Sequence, residues 1–289
     1  MATPLDRRLA KAAAPLFAPL GVRIVLRLEQ VEYAEFAADA ALASFSLRSA
    51  LGVLEADAIA VAFDTWAEAE AAGRRIARTP DGGIAEPGKA LDMPVDAESA
   101  LEAAPLAATA ALTRRVCEEI GEAAAVLGTM CGPATLLTRL HGAARGDDMI
   151  DAAARLAAKS LDMLCGAGVA AVLLLEEEPA EPALFARFDA AFNLARYYQV
   201  PVLYLSCGAL SGQAADSARA AGATWAVGPG DADGAVAAIP LAAFAQDGDF
   251  GAGWKAALPD TVRLLVSAWE IPAQTGAETI LRVRNVLVG

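Results

Sequence analysis

Polar residues that directly follow apolar segments are the positions in this sequence most suited to carry chemistry. Asp64 follows Ala58–Phe63, a segment with the composition of a buried strand. A carboxylate just past a buried parallel strand points to the carboxyl face of an α/β barrel, where active sites lie. Capping of the following helix is the alternative role, because aspartate is favoured there. We predict that Asp64 is catalytic.

The segment Val126–Leu140 combines an apolar run, a tight loop and a helical pattern. The run is interrupted at Gly128, and Cys131-Gly132-Pro133 then predicts a turn. Gly132 leaves the backbone free to turn, and proline suits the first helical position because its missing N–H would have no partner there. The loop is predicted at the carboxyl end of a strand, where ligands bind in parallel α/β proteins. Taken alone, it is more simply an ordinary connection.

Two other predicted strands also end in polar residues. Glu176-Glu177-Glu178 follows one of them and is most simply a solvated strand end, although Glu176 could reach a barrel mouth. Cys207 follows another predicted strand. A cysteine is more often a small core residue than a nucleophile. The single histidine, His141, is expected to end a helix at the surface.

Strands that alternate with helices along the whole chain predict a parallel sheet. The favoured architecture is one (β/α)8 TIM barrel, and an open doubly wound sheet is the alternative. We expect a single domain over residues 1–289, with an amino-terminal arm at 1–20 and a lid loop at 79–97, which is rich in glycine and proline. The eight predicted strands begin at Val22, Ala58, Val126, Val169, Pro201, Thr224, Ile239 and Val262.

Composition excludes several classes of partner. The net charge of −13, without a basic stripe, argues against nucleic acid and against anionic membranes. No apolar run is long enough to span a bilayer, and the first residues lack the apolar core of a secretory signal, so we expect a cytoplasmic protein. One histidine and four scattered cysteines leave little material for a metal site, so no metal and no cofactor is predicted. The expected partner is a small-molecule ligand; we allow for a homodimer, although the sequence does not fix the oligomeric state.

Two motifs resemble the uroporphyrinogen decarboxylase family, whose relatives include corrinoid-linked methyltransferases. Gly132-Pro133-Ala134-Thr135-Leu136 resembles its Gly-Pro-[aromatic or small]-Thr-Leu segment, and the stretch from Asp57 to Asp64 resembles an Asp-Ala pair, a strand and an aspartate. The resemblance implies decarboxylation of a tetrapyrrole without a cofactor. It also implies that Asp64 accepts hydrogen bonds from pyrrole N–H groups and stabilises the cation formed on protonation.

The resemblance also shows departures from that family's polar residues. Arg27 corresponds to one of two arginines that bind substrate carboxylates, but Val31 stands in place of the second. Arg139 lies near the place of a tyrosine, and Trp269 lies in the place of a histidine. We therefore predict substrate contacts from Arg27, Arg139 and Trp269, and we expect uroporphyrinogen itself to be decarboxylated slowly or not at all.

The methyltransferase branch of the resemblance requires a His-x-Cys motif and a distant cysteine that hold zinc. Cys207 matches one of these ligands and is a further predicted substrate contact, but Leu205 stands where the histidine would be. Three functions remain open: an enzyme acting on a tetrapyrrole or similar anionic ligand, an enzyme of the same fold with a smaller substrate, and a non-catalytic binding protein. Any activity is expected to resemble a metal-free carboxy-lyase.

Overall fold

The computed structural model of the protein describes residues 3–61, 63–143, 146–177, 180–245 and 252–289. The strands are β1 (Leu16–Ala18), β2 (Ala58–Val61), β3 (Ile76–Arg78), β4 (Ile84–Pro87), β5 (Ala125–Cys131), β6 (Ala171–Glu176), β7 (Val202–Ser206), β8 (Trp225–Val227), β9 (Ala232–Asp233), β10 (Val236–Ile239) and β11 (Leu264–Ser267). The helices are α1 (Pro4–Lys11), α2 (Val22–Glu29), α3 (Tyr33–Ala38), α4 (Ala40–Leu54), α5 (Ala67–Ala71), α6 (Ala97–Glu102), α7 (Ala104–Ile120), α8 (Pro133–His141), α9 (Asp147–Gly166), α10 (Pro182–Arg187), α11 (Asp189–Tyr198), α12 (Gly212–Ala221), α13 (Ala252–Ala257) and α14 (Ala277–Val288).

Eight parallel strands in the described ranges form two sheets of an α/β fold. One sheet has the order β2-β5-β6-β7-β8, and the other has the order β1-β11-β10, with β9 added antiparallel to β10. The two sheets meet at β1 and β2, where the Asp57 N–H donates to the Phe17 carbonyl over 2.9 Å. The Phe17 N–H donates in turn to Asp57 Oδ2, also over 2.9 Å. At the opposite edges of the two sheets lie β8 and β9. The Ala226 N–H of β8 donates to Asp233 Oδ2 of β9 over 2.9 Å.

The sheets are buried on both faces, and helices cover them. Every residue of β5 and of β6 is buried, as expected for parallel strands covered on both sides. Gly128 lies inside β5 instead of interrupting it, and a Cβ there would lie 3.2 Å from side-chain atoms of both Leu164 and Val169. The glycine therefore lets α9 pack closely on the sheet. A second, smaller apolar cluster lies between β1, β10, β11 and α14.

The first predicted strand is wrong. Residues from Val22 onward form helix α2, and the strand that occupies this place in the sheet is β1, inside the predicted amino-terminal arm. The apolar run contains Arg23 and Arg27, which are four residues apart, and this spacing places both on one helical face while Val22 and Leu26 are buried. Gln30 ends the helix in the left-handed conformation.

Three other segments differ from their predictions. Phe36, Ala40 and Leu47 are among the apolar positions that predict one helix from Glu32 to Leu51, but the structure divides it at Asp39. The Asp39 side chain caps α4 by accepting from the Ala41 and Leu42 N–H groups. The sequence predicts a strand that begins at Ile239, but the observed strand β10 ends at that residue. Residues 241–244, which follow a proline, form a 3-10 helix instead. The predicted lid loop contains β4, which pairs with β3 as an antiparallel hairpin. Ala62, in the second predicted strand, lies outside the described residues, as does Glu178.

None of the helices in the described ranges combines the length and the apolar character that a membrane span requires.

Candidate functional site

A cavity of about 180 Å³ lies at the carboxyl ends of the parallel strands. Asp64 and Trp66 reach it from the loop after β2, and Arg139 reaches it from α8. Trp269 and Glu270 follow β11, and residues 81–84 of the β3–β4 hairpin form a further wall. We call this space the mouth cavity. Its position is the one at which parallel α/β proteins bind ligands.

Asp64 is held in the wall of the mouth cavity by three donors. Its Oδ2 accepts from the Tyr33 hydroxyl over 2.6 Å and from the Arg78 guanidinium over 2.8 Å. Its Oδ1 accepts from the Trp66 N–H over 2.8 Å. The side chain is 10% exposed. The hydrogen bond from the Trp66 N–H is the local one that an aspartate before a helix commonly accepts. The bonds from Tyr33 and Arg78 come from distant elements and position the carboxylate.

Arg78 joins Asp64 to a second carboxylate. Its Nη2 lies 2.8 Å from Asp64 Oδ2 and 2.6 Å from Glu70 Oε2, and its guanidinium stacks on the Tyr33 ring at 4.8 Å. Burial acts to lower the pKa of Arg78, but Asp64, Tyr33 and Glu70 outweigh it and leave that pKa raised. Burial, and then the charge of Asp64, raise the pKa of Tyr33, so the phenol remains a neutral hydrogen-bond donor.

A second and larger cavity, of about 740 Å³, lies on the other side of Tyr33. We call it the α3–α7 cavity, after the two helices that supply most of its wall. Val22, Tyr33, Phe63 and Asp64 line both cavities, so Asp64 lies in the wall they share. The Tyr33 N–H donates to the Pro80 carbonyl over 2.8 Å, which fixes the hairpin against this wall.

Arg139 and Trp269, both predicted substrate contacts, line the mouth cavity together with Asp64. The Arg139 guanidinium lies 4.0 Å from the centre of the Trp66 ring and forms an ion pair with Glu177. Trp269 packs edge-to-face on Phe63 at 5.5 Å. Their roles toward a substrate stay predictions, but the structure brings these two side chains and Asp64 to one space.

The charges around the mouth cavity are paired. Arg23 donates its Nε to Glu270 over 2.8 Å and its backbone N–H over 3.1 Å. Burial raises the pKa of Glu270, and Arg23 opposes this shift. With Asp81 also in the wall, the carboxylates that line the cavity outnumber the guanidinium groups. The cavity therefore favours ligands with N–H donors or positive charge over strongly anionic ligands.

Arg27 and Cys207 are not placed with Asp64. Arg27 is exposed on α2 and donates to the Thr275 carbonyl, and it does not line either cavity in the described structure. The strand predicted to begin at Val22, which would have contained Arg27, does not form. Cys207 is half-buried, and its Sγ donates to the Glu177 carbonyl over 3.1 Å. Substrate contacts from these two residues stay predictions.

Glu176 is the functional candidate that the sequence placed wrongly. Its side chain is 0% exposed instead of solvated, and its carboxylate lies at the first turn of α8. It accepts from the Ala134 N–H over 3.2 Å and from both the N–H and the hydroxyl of Thr135 over 2.5 Å. Burial raises its pKa to about 7, although the bonds from Thr135 and Ala134 oppose the shift. A carboxyl with this pKa can exchange a proton near neutral pH.

Glu68 is a second buried carboxylate, and no pattern in the sequence indicated it. It is 2% exposed, and its Oε1 accepts from the Cys131 N–H over 3.0 Å. Burial raises the pKa of Glu68. Burial, together with the charge of Glu68, also raises the pKa of the Cys131 thiol well above its usual range. Cys131 is therefore a protonated thiol and a poor nucleophile.

His141 does not lie at the surface as predicted. It ends α8 but is 2% exposed, and its Nδ1 lies 3.0 Å from the Leu91 carbonyl. Among the described residues no group of three or more His, Cys, Asp or Glu side chains could hold a metal ion. The absence of a catalytic metal stays a prediction.

Comparison with known proteins relates the chain by fold alone. No protein-family model and no curated protein sequence matches it. Among solved structures, a methyltransferase from Methanosarcina mazei superposes with a TM-score of 0.77 at 15% identity, over 99% of this chain and 98% of that one. Two other solved structures are less similar. A homocysteine methyltransferase from Escherichia coli has a TM-score of 0.48 at 13% identity, over 98% of this chain and 99% of that one. A 2,3-dimethylmalate lyase of the PEP mutase/isocitrate lyase superfamily has a TM-score of 0.46 at 13% identity, over 93% of this chain and 79% of that one. The chain is thus an α/β protein that shares its whole fold with the first of these enzymes.

Proposed function

We propose that residues 1–289 form one closed (β/α)8 barrel, and that the mouth cavity is an active site for a small substrate. Two observations support closure: the hydrogen bonds of Asp57 join β1 to β2, and the fold is shared over its length with a methyltransferase. The observation that carries the active-site proposal is the position of Asp64. It is a carboxylate fixed by Tyr33 and Arg78 in the wall between two cavities.

The proposed role of Asp64 is electrostatic. Its Oδ1 accepts one bond from the Trp66 N–H, which leaves a lone pair for a substrate N–H. A carboxylate fixed in advance of the reaction stabilises positive charge that develops on a protonated substrate, because no reorganisation is needed at that moment. Tyr33 and Arg78 position it, and the β3–β4 hairpin serves as the lid. This chemistry suits a metal-free carboxy-lyase.

The size of the mouth cavity favours a substrate smaller than a tetrapyrrole. Its 180 Å³ lies below the about 300–1,000 Å³ that is usual for drug-sized ligands. A tetrapyrrole, or another strongly anionic ligand, would require Tyr33 to move and would meet an excess of carboxylates. The relation to uroporphyrinogen decarboxylases is proposed as a divergent one, with Asp64 kept and the substrate changed.

Methyl transfer is the second candidate, and the shared fold with a methyltransferase is the observation that favours it. Cys207, which directly follows β7, would be the thiol for this chemistry, but Leu205 supplies no metal ligand beside it. The lyase proposal is preferred because Asp64 has a defined environment in the cavity wall. A cytoplasmic location and a homodimer stay predictions.

The test is a thermal-shift screen with porphyrinogens, corrinoids, aromatic acids and aromatic amines, followed by turnover assays with the compounds that bind. Ligands that bind only the folded protein raise its Tm by mass action. Asp64→Asn should keep the fold and reduce turnover at least about 100-fold, the loss typical when one stabilising group is removed from an active site. Asp216→Asn, at an exposed carboxylate on α12, is the control and should leave turnover unchanged. Efficient decarboxylation of uroporphyrinogen, or full activity of Asp64→Asn, would overturn the proposal.

A further inference from the structure

The α3–α7 cavity has the size and the lining of a ligand site. Its 740 Å³ lies within the about 300–1,000 Å³ typical of small-molecule pockets. Alanines make up much of its wall, including Ala34, Ala37 and Ala38 from the α3 segment and Ala104 and Ala108 from α7. Their short side chains leave open a space that longer apolar residues would fill. Phe36 and Phe63 add aromatic side chains to the wall.

The polar end of this cavity carries one net negative charge. Asp64 and Glu70 both contact the Arg78 guanidinium, at 2.8 and 2.6 Å, and Tyr33 is neutral. These two carboxylates and one guanidinium therefore leave one uncompensated negative charge beside apolar walls, and the exposed Glu32 adds a solvated charge at the rim. Glu70 contacts Arg78 through Oε2, so its other oxygen is available as an acceptor.

We propose that the α3–α7 cavity binds a small apolar molecule that carries one positive charge, such as a protonated aromatic amine. The ammonium group would lie at Glu70 and Asp64 and would neutralise the uncompensated charge. The apolar body would occupy the alanine-lined space, where the Phe36 ring adds an aromatic contact. The proposal concerns binding in this cavity and does not depend on catalysis at the mouth.

Charge excludes the other ligand classes. An anion would face Asp64 and Glu70, and also Glu32 at the rim, while Arg78, the one cationic group among the described residues of the wall, is already paired. A neutral apolar molecule would cover the carboxylates without compensating them, which carries a desolvation cost. A single positive charge satisfies both the electrostatics and the volume.

The test measures binding of three probes that differ mainly in charge: 2-phenylethylamine, which is protonated at pH 7, neutral 2-phenylethanol and anionic 3-phenylpropionate. Isothermal titration calorimetry of the full chain should show saturable binding of the amine, at least about tenfold tighter than that of the alcohol. The anion should bind least. Equal affinity for amine and alcohol, or no saturable binding of the amine, would refute the proposal.

Two variants locate the probe. Ala108→Trp fills the cavity and should abolish binding, whereas Ala107→Trp, at the exposed neighbouring position of α7 and outside the cavity, should bind as the unmodified chain does. Glu70→Gln should weaken amine binding about fivefold, the effect of one partly exposed charge contact, and leave the affinity for the alcohol unchanged. A structural role of Glu70 would change both. Amine binding that survives Ala108→Trp places the probe elsewhere and overturns the assignment, whatever the result at Asp64.

Discussion

Glu176→Gln tests whether a buried carboxylate makes the stability of the protein depend on pH. Glu176 is 0% exposed, and burial raises its pKa from an ordinary 4.5 to about 7. The folded protein therefore holds the proton more tightly than the unfolded chain does. The contribution of Glu176 to stability should be greatest below pH 4.5 and should fall as the pH rises through the interval up to 7, because the buried carboxyl must then ionise.

The size of the effect follows from the two pKa values. Their difference, at about 1.4 kcal/mol per pH unit, corresponds to about 3 kcal/mol of unfolding free energy. About 2.5 kcal/mol of this loss falls between pH 5 and pH 8. The Gln variant has no such titration, so the free energy of unfolding of the unmodified chain relative to the variant should fall by that amount over the same interval.

Urea unfolding followed by tryptophan fluorescence, at several pH values from 5 to 8, measures this difference. Titrations of other groups, including Glu68 and Glu270, occur in both proteins and cancel. Glu35→Gln, at an exposed position of α3, is the matched control and should follow the unmodified chain at every pH. A difference that stays constant with pH, or that grows in the opposite direction, would show that Glu176 titrates as an ordinary carboxyl.

Two further substitutions test the junctions around the candidate site. Asp57→Ala removes the acceptor of the Phe17 N–H at the seam of the two sheets; it should cost about 1–3 kcal/mol of unfolding free energy in urea, whereas Asp92→Ala, at an exposed residue, should cost almost nothing. Gly132→Ala places a Cβ 2.6 Å from Glu176 Oε2 and should cost about 1–3 kcal/mol of unfolding free energy. Gly208→Ala is the control, because a Cβ there has nothing within 4 Å, and it should leave the unfolding midpoint unchanged. Equal effects of the two substitutions would contradict the close packing at Glu176.

The central strands could be predicted from the sequence because they are continuous apolar runs, as expected for strands that are buried on both faces. The predictions for β2, β5, β6 and β7 agree with the structure to within a few residues. Helix α2 could not be predicted in this way, because its apolar run is rich in β-branched residues. The packing of this run against its neighbours decides its conformation. Strand β1 has only three residues, too few for a periodic signal.

The candidate site was predicted in part for a related reason. Asp64 could be identified because it directly follows a strand, and strand ends meet at one face. Tyr33 and Arg78, which hold it, come from a helix and a hairpin whose positions follow only from tertiary packing. No spacing in the sequence connects them to Asp64.

The loop after β5 was recognised as significant, but for an incomplete reason. Gly132 has φ of −70°, a value open to any residue, so it is not required for a turn. It is required because the carboxylate of Glu176 lies against it and receives the N–H groups at the start of α8. Glu68 receives the Cys131 N–H from the other side of the same loop. Two buried carboxylates thus replace the solvent that would otherwise bond these donors, and burial raises the pKa of both, that of Glu176 to about 7.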